Sequence, residues 1–410
     1  MIDRQQAEQL AAVWARRDSQ RLGHECSPTV TEFDLGFVVS STVSTDVRAV
    51  PGDLPTTVID RASGEVTTWP RVPADVVEQM YRRSRPAQGP PPRTVDPSAQ
   101  LLRELRRLPT PGVAAHLTVQ DELFTAYGVK GDVDLDHHAL VRSYLDGLPP
   151  GHLVRGGERH AEVIAVSDAL HHHDHRRGLA GQPPLGQDEA RLLFGTARFE
   201  SYRIRETGDP AGGPAERPCD SCLALLVHFD LLPWSELAFV EDWRPGRQVS
   251  PMPGRFPDPV ADALVAAGWR PHFGDEVLAA AAVEQVCAVR GATHGHVALP
   301  AATRTLAAFP GLVGGRRGPG AEVWISRFGI HPHRVAHSAD TLADAAAVIG
   351  ARLFPIGSEQ EDSLLAVDEH GRVFALDQGG EWFLGGDVDA ALTTLLLGHA
   401  PARVRDDGTW

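Results

Sequence analysis

Four side chains in the middle of the chain have the types and spacing of a catalytic zinc site. His160 and Glu162 stand two residues apart, and Cys219 and Cys222 follow in the run Pro-Cys-Asp-Ser-Cys. One histidine and two cysteines give zinc three ligands and leave its fourth tetrahedral position open, as in catalytic rather than structural sites. The sequence therefore predicts His160, Cys219 and Cys222 as ligands of Zn2+.

Glu162 has a different predicted role, because a carboxylate two residues after a ligand can move protons beside the metal. Zinc lowers the pKa of a water molecule, and a nearby base takes up the proton that the water loses. We therefore predict Glu162 as a catalytic residue and not as a ligand. The His-x-Glu pair alone is a weak signal, whereas Pro-Cys-x-x-Cys uses two of the chain's four cysteines.

Two other uses of the cysteine pair stay open. Cys219 and Cys222 could bind a structural zinc with two further ligands, or they could form a redox pair. A structural site would want a second pair of cysteine or histidine ligands, and the sequence offers none with suitable spacing. Cys26 and Cys287 have no motif around them, and we expect them to be small core residues or unremarkable thiols.

The predicted ligands lie where two helices begin. His160 opens an apolar pattern at helical spacing, and Cys219 and Cys222 open a second one directly after a proline. Residues 199–204 alternate like a half-buried strand just upstream of the cysteines. Free backbone N–H groups and helix dipoles at such termini favour thiolate over thiol, which suits metal binding.

The composition is that of a globular protein with a strongly acidic balance. The 410 residues suffice for roughly two to four domains, and the formal net charge is −15. This charge disfavours a basic groove for duplex nucleic acid, allows a small nucleotide or a single base, and suits a basic protein partner. No apolar run could span a bilayer, and the polar N-terminus has no signal-peptide core. With so few cysteines, we expect a cytoplasmic protein.

The central segment resembles the YwqJ-like deaminases of bacterial polymorphic toxins. The likeness lies in the runs HAEVIAVSDAL, SYRI and PCDSCLALL, and the ligand pattern is that of zinc-dependent base deaminases. The resemblance implies a cytidine-deaminase-like α/β sandwich over residues 99–247, with a mixed sheet and helices on both faces. It also implies a nucleobase-containing substrate, free or single-stranded, that loses ammonia by hydrolysis.

A histidine run lies between the two halves of the predicted site. It consists of His171, His172, His173 and His175 around Asp174. Such a run can bind a second metal, but it is more often a solvated helix end, and that is the interpretation we favour.

The first part of the chain resembles the YrhB-like bacterial immunity family. Its runs VIDRASGEV and WPRVP carry the likeness, and the pattern predicts helices at residues 4–16 and 74–81 around strands at 31–39, 57–60 and 66–70. We expect a small α+β domain over residues 1–84. The proline-rich residues 85–98 should form a semi-rigid linker to the next domain.

The last part of the chain resembles the SUKH immunity superfamily. The order of the runs AAGW, FPGL, IGARLFPIG, LAVDEHGRVFAL and WFLGG carries the likeness. It implies an α+β fold of one sheet flanked by helices over residues 259–400. No nucleophile–base pair is evident in this part, so no catalytic role is expected there.

Three functions are compatible with this domain order. The first is a zinc-dependent nucleobase or nucleic-acid deaminase fused to immunity-like domains that bind protein. The second is a multi-domain immunity protein that neutralises toxins, with the deaminase module as a scaffold. The third is an active deaminase restrained by its own neighbours. The intact set of His160, Glu162, Cys219 and Cys222 favours an enzyme.

Overall fold

The protein is a mixed α/β chain with several sheets, as the sequence predicts. The structure is a computed structural model that describes residues 2–22, 25–43, 56–62, 64, 66–69, 73–84, 110–215, 217–233, 254–271, 274–360 and 363–410. The predicted linker at residues 85–98 lies outside the described residues. Within the described part, no helix is both long and apolar enough to cross a bilayer.

The first sheet is an antiparallel meander between two helices. Its strands are β1 (Cys26–Glu32), β2 (Gly36–Val43), β3 (Thr56–Asp60) and β4 (Val66–Trp69). Its helices are α1 (Arg4–Leu22) and α2 (Ala74–Ser84). Phe37 packs with α1 and Val38 packs with α2, because neighbouring side chains of a strand point to opposite faces. The sheet therefore has an apolar layer on each side.

The predicted strand at residues 31–39 is in fact two strands. A tight turn interrupts it, in which the Phe33 N–H donates to the Gly36 carbonyl at 3.0 Å and the Gly36 N–H donates back at 3.3 Å. The apolar alternation continues through the turn, so periodicity alone did not reveal it. The next two predicted strands, at residues 57–60 and 66–70, are present as β3 and β4 and pair antiparallel.

The central unit has one sheet and four described helices. Its strands, in the order β6-β5-β7-β8, are β5 (Gly112–Val119), β6 (Glu122–Tyr127), β7 (Arg198–Ile204) and β8 (Gly213–Pro214). Its helices are α3 (Ala139–Asp146), α4 (Ala161–Leu179), α5 (Gln187–Phe194) and α6 (Asp220–His228). All described strand pairs are antiparallel, whereas the resemblance implied a mixed sheet. Residues 234–247, which belong to the predicted domain, lie outside the described part.

The last unit is built on a seven-stranded antiparallel sheet in the order β15-β14-β13-β12-β11-β10-β9. The strands are β9 (Val313–Gly314), β10 (Phe328–Gly329), β11 (Leu353–Glu359), β12 (Ser363–Asp368), β13 (Val373–Asp377), β14 (Gly380–Gly385) and β15 (Ala402–Arg403). The helices are α7 (Asp258–Ala266), α8 (Glu276–Ala288), α9 (Pro300–Ala308), α10 (Ala339–Ile349) and α11 (Val388–Leu397). Apolar clusters cover both faces of the sheet, as expected for an α+β fold.

The central and last units pack directly against each other. The hydroxyl groups of Thr110 and Thr341 lie 2.6 Å apart, and Glu206 accepts from the backbone N–H of Thr341 at 2.6 Å. Trp324 of the last unit packs against the apolar core of the central unit. These contacts place the C-terminal unit beside the part of the central unit that carries the sequence motif.

Candidate metal centre

The beginnings of two helices bring the predicted ligands together. His160 is the N-cap residue of α4, Cys219 is the N-cap residue of α6, and Cys222 lies in the first turn of α6. Helix α4 packs on β5 and β6, and α6 packs on α4. Because the two helices begin on the same side, residues about sixty positions apart in sequence meet in space.

The histidine nitrogen lies close to the distance from both sulfur atoms that a tetrahedral zinc site needs. Nδ1 of His160 lies 3.3 Å from Sγ of Cys219 and 3.4 Å from Sγ of Cys222. Zinc bonds of about 2.3 Å to sulfur and about 2.1 Å to nitrogen, at a tetrahedral angle, separate these atoms by about 3.6 Å. Among the residues that the structure describes, this is the only group of three or more His, Cys, Asp or Glu residues arranged to hold a metal ion.

The electrostatics of the three residues suit a cation. Burial acts to lower the pKa of His160, but the Cys219 thiolate and neighbouring carboxylates raise this pKa to about 9. A hydrogen bond from Cys222 holds the pKa of Cys219 well below its ordinary value, while burial raises the pKa of the Cys222 thiol. Coordinating cysteines must be thiolates, and a divalent cation compensates their buried negative charge. The donor set therefore fits zinc.

Glu162 lies beside the three ligands and is not one of them. It belongs to the first turn of α4 and is only 1% exposed. Its Oε2 accepts from the Cys222 thiol at 3.4 Å. A carboxylate at this place can exchange a proton with a group bound next to the metal. The structure thus brings together all four residues that the sequence motif contains.

A residue of the C-terminal unit also contacts Glu162. The side-chain Nε2 of Gln378 donates to Oε2 of Glu162 at 3.4 Å, and the backbone N–H of Ala161 donates to Oε1 of Gln378 at 3.0 Å. Gln378 is buried. Sequence reasoning gave it no role, because a glutamine in a hairpin turn carries no signal of a contact with a distant site.

The cysteine half of the motif also contacts the C-terminal unit. Asp220, between the two cysteine ligands, accepts from Nε of Arg317 at 2.7 Å and from Nε1 of Trp324 at 2.9 Å. Asp220 also forms an ion pair with the terminal nitrogen of Arg317. Both halves of the predicted metal site are therefore in contact with the last unit of the chain.

The histidine run corrects one interpretation from the sequence, because it is not a solvated helix end. It lies inside α4, which continues to Leu179, and His173 is buried. Burial lowers the pKa of His171 to about 4, and its Nε2 lies 3.1 Å from the carbonyl oxygen of Asp136. The run packs on β6, where His172 and His173 contact the Phe124 ring. It is therefore part of the packing of the helix.

The two remaining cysteines lie away from the metal site and are not joined in a disulfide. Cys26 is buried at the start of β1, and Cys287 is half-buried near the end of α8. Burial raises the pKa of Cys287, so that its thiol stays protonated at neutral pH. This agrees with their expected role as small packing residues.

Three family models match consecutive parts of the chain. They are the Immunity protein 35-like domain at residues 5–89, the YwqJ-like deaminase at residues 96–231 and the SUKH-3 immunity protein at residues 256–398. No curated protein and no solved structure matches the chain. The immunity class of both ends and the deaminase family of the centre are thus confirmed. The chain contains a YwqJ-like deaminase domain flanked by an Immunity protein 35-like domain and a SUKH-3 immunity domain.

Proposed function

We propose that this chain is a zinc-dependent hydrolytic deaminase of the toxin–immunity type, acting on a nucleobase that carries an exocyclic amine. The observation that supports it most strongly is the meeting of His160, Cys219 and Cys222 at two helix N-termini, with Glu162 next to them. The match of residues 96–231 to a deaminase family supports the same reaction class. The substrate is a free nucleotide or nucleoside, or a base in a single strand.

The three ligands and Glu162 divide the work of this reaction. His160, Cys219 and Cys222 would hold the zinc ion. A zinc ion held there would lower the pKa of a water molecule and so make it a nucleophile at neutral pH. Glu162 accepts the proton from this water and delivers it to the ring nitrogen next to the amine. Water would thereby add its oxygen to the carbon, and Glu162 would take the second proton from the added hydroxyl group and pass it to the amine, so that the C–N bond breaks and ammonia leaves.

The position of Glu162 suits proton transfer in both directions. The carboxylate is buried, which keeps bulk water away from the proton that it carries. It lies in the first turn of a helix, where the positive end of the helix dipole stabilises the ionised form. The position at the helix N-terminus therefore favours Glu162 as a base.

The proposed domain map assigns recognition to the ends of the chain. We propose an immunity-type α+β domain at residues 1–84, a linker at residues 85–98, a cytidine-deaminase-like sandwich at residues 99–247 and a SUKH-type domain at residues 259–400. The net charge of −15 suits association of the terminal domains with a basic protein such as a toxin. Their family matches to immunity proteins support this division.

A second candidate function also has support in the structure. Two immunity-type domains and a buried Glu162 are compatible with a protein that neutralises toxins and uses the deaminase module as a scaffold. In that case zinc could still bind, but no substrate would lose its amine.

Zinc analysis combined with ammonia release separates the two functions. The full chain, loaded with zinc, is incubated with nucleosides, nucleotides and single-stranded oligonucleotides that contain cytosine, adenine or guanine. We expect one zinc ion per chain and ammonia from at least one class of substrate. Bound zinc without ammonia from any substrate would favour the scaffold function. The same result should then hold for Gln378→Ala, which lacks the side-chain contact with Glu162.

A further inference from the structure

A hairpin tip of the C-terminal domain lies on the residues that would carry the chemistry. Strands β13 and β14 are joined by a two-residue turn, Gln378 and Gly379. The carboxamide of Gln378 contacts the backbone of Ala161 at 3.0 Å and the carboxylate of Glu162 at 3.4 Å. A backbone N–H can only donate, so the carboxamide oxygen faces Ala161 and its NH2 group faces Glu162.

The hairpin tip has a fixed shape. One carboxylate oxygen of Asp377 accepts from the backbone N–H groups of Gly379 at 2.9 Å and Gly380 at 3.1 Å, and from Nε1 of Trp382 at 3.0 Å. Its other oxygen accepts from Arg155 of the deaminase domain at 2.9 Å. The conformation of the tip is therefore set by the same carboxylate that binds the deaminase domain.

Two glycines of the deaminase domain make room for the tip. A Cβ atom at Gly128 would lie 2.6 Å from Cβ of Gln378, and one at Gly156 would lie 2.6 Å from Cζ2 of Trp382. Separations below about 3 Å do not occur between such atoms, because atomic repulsion rises steeply there. The close approach of the two domains thus depends on the absence of side chains at these positions.

Buried ion pairs and hydrogen bonds hold the tip against the deaminase domain. Arg155 pairs with Asp377 and with Glu359, each at 2.9 Å, and all three side chains are at most 9% exposed. Arg159 donates to the carbonyl oxygen of Gly379 at 3.2 Å. Charges buried together in this way belong to a contact that is formed in the folded protein rather than to a chance encounter.

The same domain also contacts the cysteine half of the site. Arg317 and Trp324 bind the carboxylate of Asp220, which follows Cys219 directly in sequence. Glu162 is 1% exposed and Gln378 is 3% exposed, so the contact between them leaves neither side chain open to solvent. A substrate base must reach Glu162 to react, and it would meet the carboxamide of Gln378 there.

We propose that residues 377–380 are a built-in plug, and that the Gln378 carboxamide takes the place of the amino-bearing edge of the substrate base. A carboxamide is planar and presents an NH2 group beside an acceptor, as the amine and ring nitrogen of an aminated base do. The SUKH-type domain thereby holds the deaminase closed within one chain. The proposal rests on the proposed deaminase function for its substrate, but the occlusion itself can be measured without catalysis.

The test uses the full chain with two variants that remove or displace the plug. Gln378→Ala deletes the carboxamide, and Gly128→Ala places a methyl group against Gln378. Gln182→Ala and Gly178→Ala are matched controls, because Gln182 is exposed and a Cβ at Gly178 meets nothing within 4 Å. The metal-free proteins are treated with N-ethylmaleimide, and the alkylation rate of each cysteine is followed by mass spectrometry.

We expect Cys219 and Cys222 to react faster in Gln378→Ala and Gly128→Ala by roughly tenfold or more, the scale set by losing a hydrogen bond to a charged group. Both controls should react like the wild type. Cys26 and Cys287 serve as internal references, because faster alkylation of all four cysteines would indicate unfolding instead of opening. Unchanged rates at Cys219 and Cys222 in both plug variants, with the references also unchanged, overturn the proposal.

Ammonia release by the zinc-loaded proteins then separates the plug from the proposed function. If the plug variants expose the cysteines and also release ammonia faster than the wild type, both proposals stand. If they expose the cysteines but no protein releases ammonia, the plug stands and the deaminase function falls. If wild type and variants release ammonia equally and their cysteines react equally, the plug falls and the deaminase function stands.

Discussion

Cys219 caps one short helix and Cys222 lies in its first turn, and this local geometry explains why both can bind one ion. A helix N-terminus carries unpaired N–H groups that stabilise negative charge, so two thiolates cost less there than elsewhere. His160 caps the neighbouring helix and lies within 3.4 Å of both sulfur atoms. The ligand set is thus prepared by two helix ends rather than by a flexible loop.

Zinc content tests the assignment of these ligands. Cys219→Ala removes one of three donor atoms, and we expect the purified variant to lose zinc, since three ligands are the minimum of such sites. Atomic absorption or mass spectrometry of the native protein gives the stoichiometry. Cys26→Ala is the matched control, because Cys26 is buried in a different domain, and it should keep zinc. Stoichiometric zinc in Cys219→Ala would contradict the ligand assignment.

The close approach of the four motif residues could be predicted from sequence, whereas the contact of Gln378 could not. His160, Glu162, Cys219 and Cys222 lie in short motifs at helix starts, so residue type, spacing and local periodicity all indicate the same site. Gln378 reaches Glu162 across 216 positions of the chain. Nothing in the local sequence of Gln378 specifies its contact with Glu162, because that contact depends on how two domains pack.

At the scale of elements, the buried Arg155 helps to hold the β13–β14 hairpin against the deaminase domain. Arg155 lies between the carboxylates of Asp377 and Glu359, and its guanidinium also lies 5.8 Å from the Trp382 ring centroid. Burial acts to lower the pKa of Arg155, but the two carboxylates raise it, so the arginine stays charged. Removing it would leave two buried carboxylates without their cation.

Chemical denaturation tests this role of Arg155. We expect Arg155→Met to lower the free energy of unfolding by about 3–5 kcal/mol, as breaking a buried ion pair on one side does. Arg352→Met is the control, because Arg352 forms a surface pair with Glu369 and its side chain is 61% exposed. The control should lose no more than about 1 kcal/mol. An equal loss of unfolding free energy in both variants would contradict the stabilising role of the buried Arg155 ion pairs.

The periodicity of apolar residues predicted most elements, but it did not reveal a turn that lies inside one continuous apolar pattern. The helix α2 and the strands β3 and β4 appear where the sequence placed them. The single strand expected at residues 31–39 is two strands, because Phe33 and Gly36 close a turn inside a continuous apolar alternation. The histidine run was assigned to solvent because its residues are polar, yet the rings of His172 and His173 contact Phe124.

At the scale of the whole molecule, two of the three domains are joined by extensive contacts. The deaminase and SUKH-type domains share ion pairs, hydrogen bonds and an apolar contact through Trp324. The N-terminal domain has its own apolar layers on both faces of its sheet. We therefore expect the second and third domains to behave as one body and the first as a separate one.

Limited proteolysis tests this division. Trypsin should cut first after Arg93, because exposed proline-rich segments are cleaved readily and Arg93 is not itself followed by proline. After such a cut, size-exclusion chromatography should separate the N-terminal fragment from the rest of the chain. First cuts inside α4, or co-elution of the two fragments, would mean that the domain division is wrong.

The central claim, that Glu162 carries protons at a zinc centre, is tested most directly in an opened protein. Zinc-loaded Gln378→Ala is compared with the double variant Gln378→Ala/Glu162→Gln for ammonia release from nucleosides and single-stranded oligonucleotides. The account predicts release by the single variant, a loss of about 10²–10⁴-fold in the double variant, and equal zinc content in both. Equal rates of ammonia release, or a double variant that loses its zinc, would contradict it.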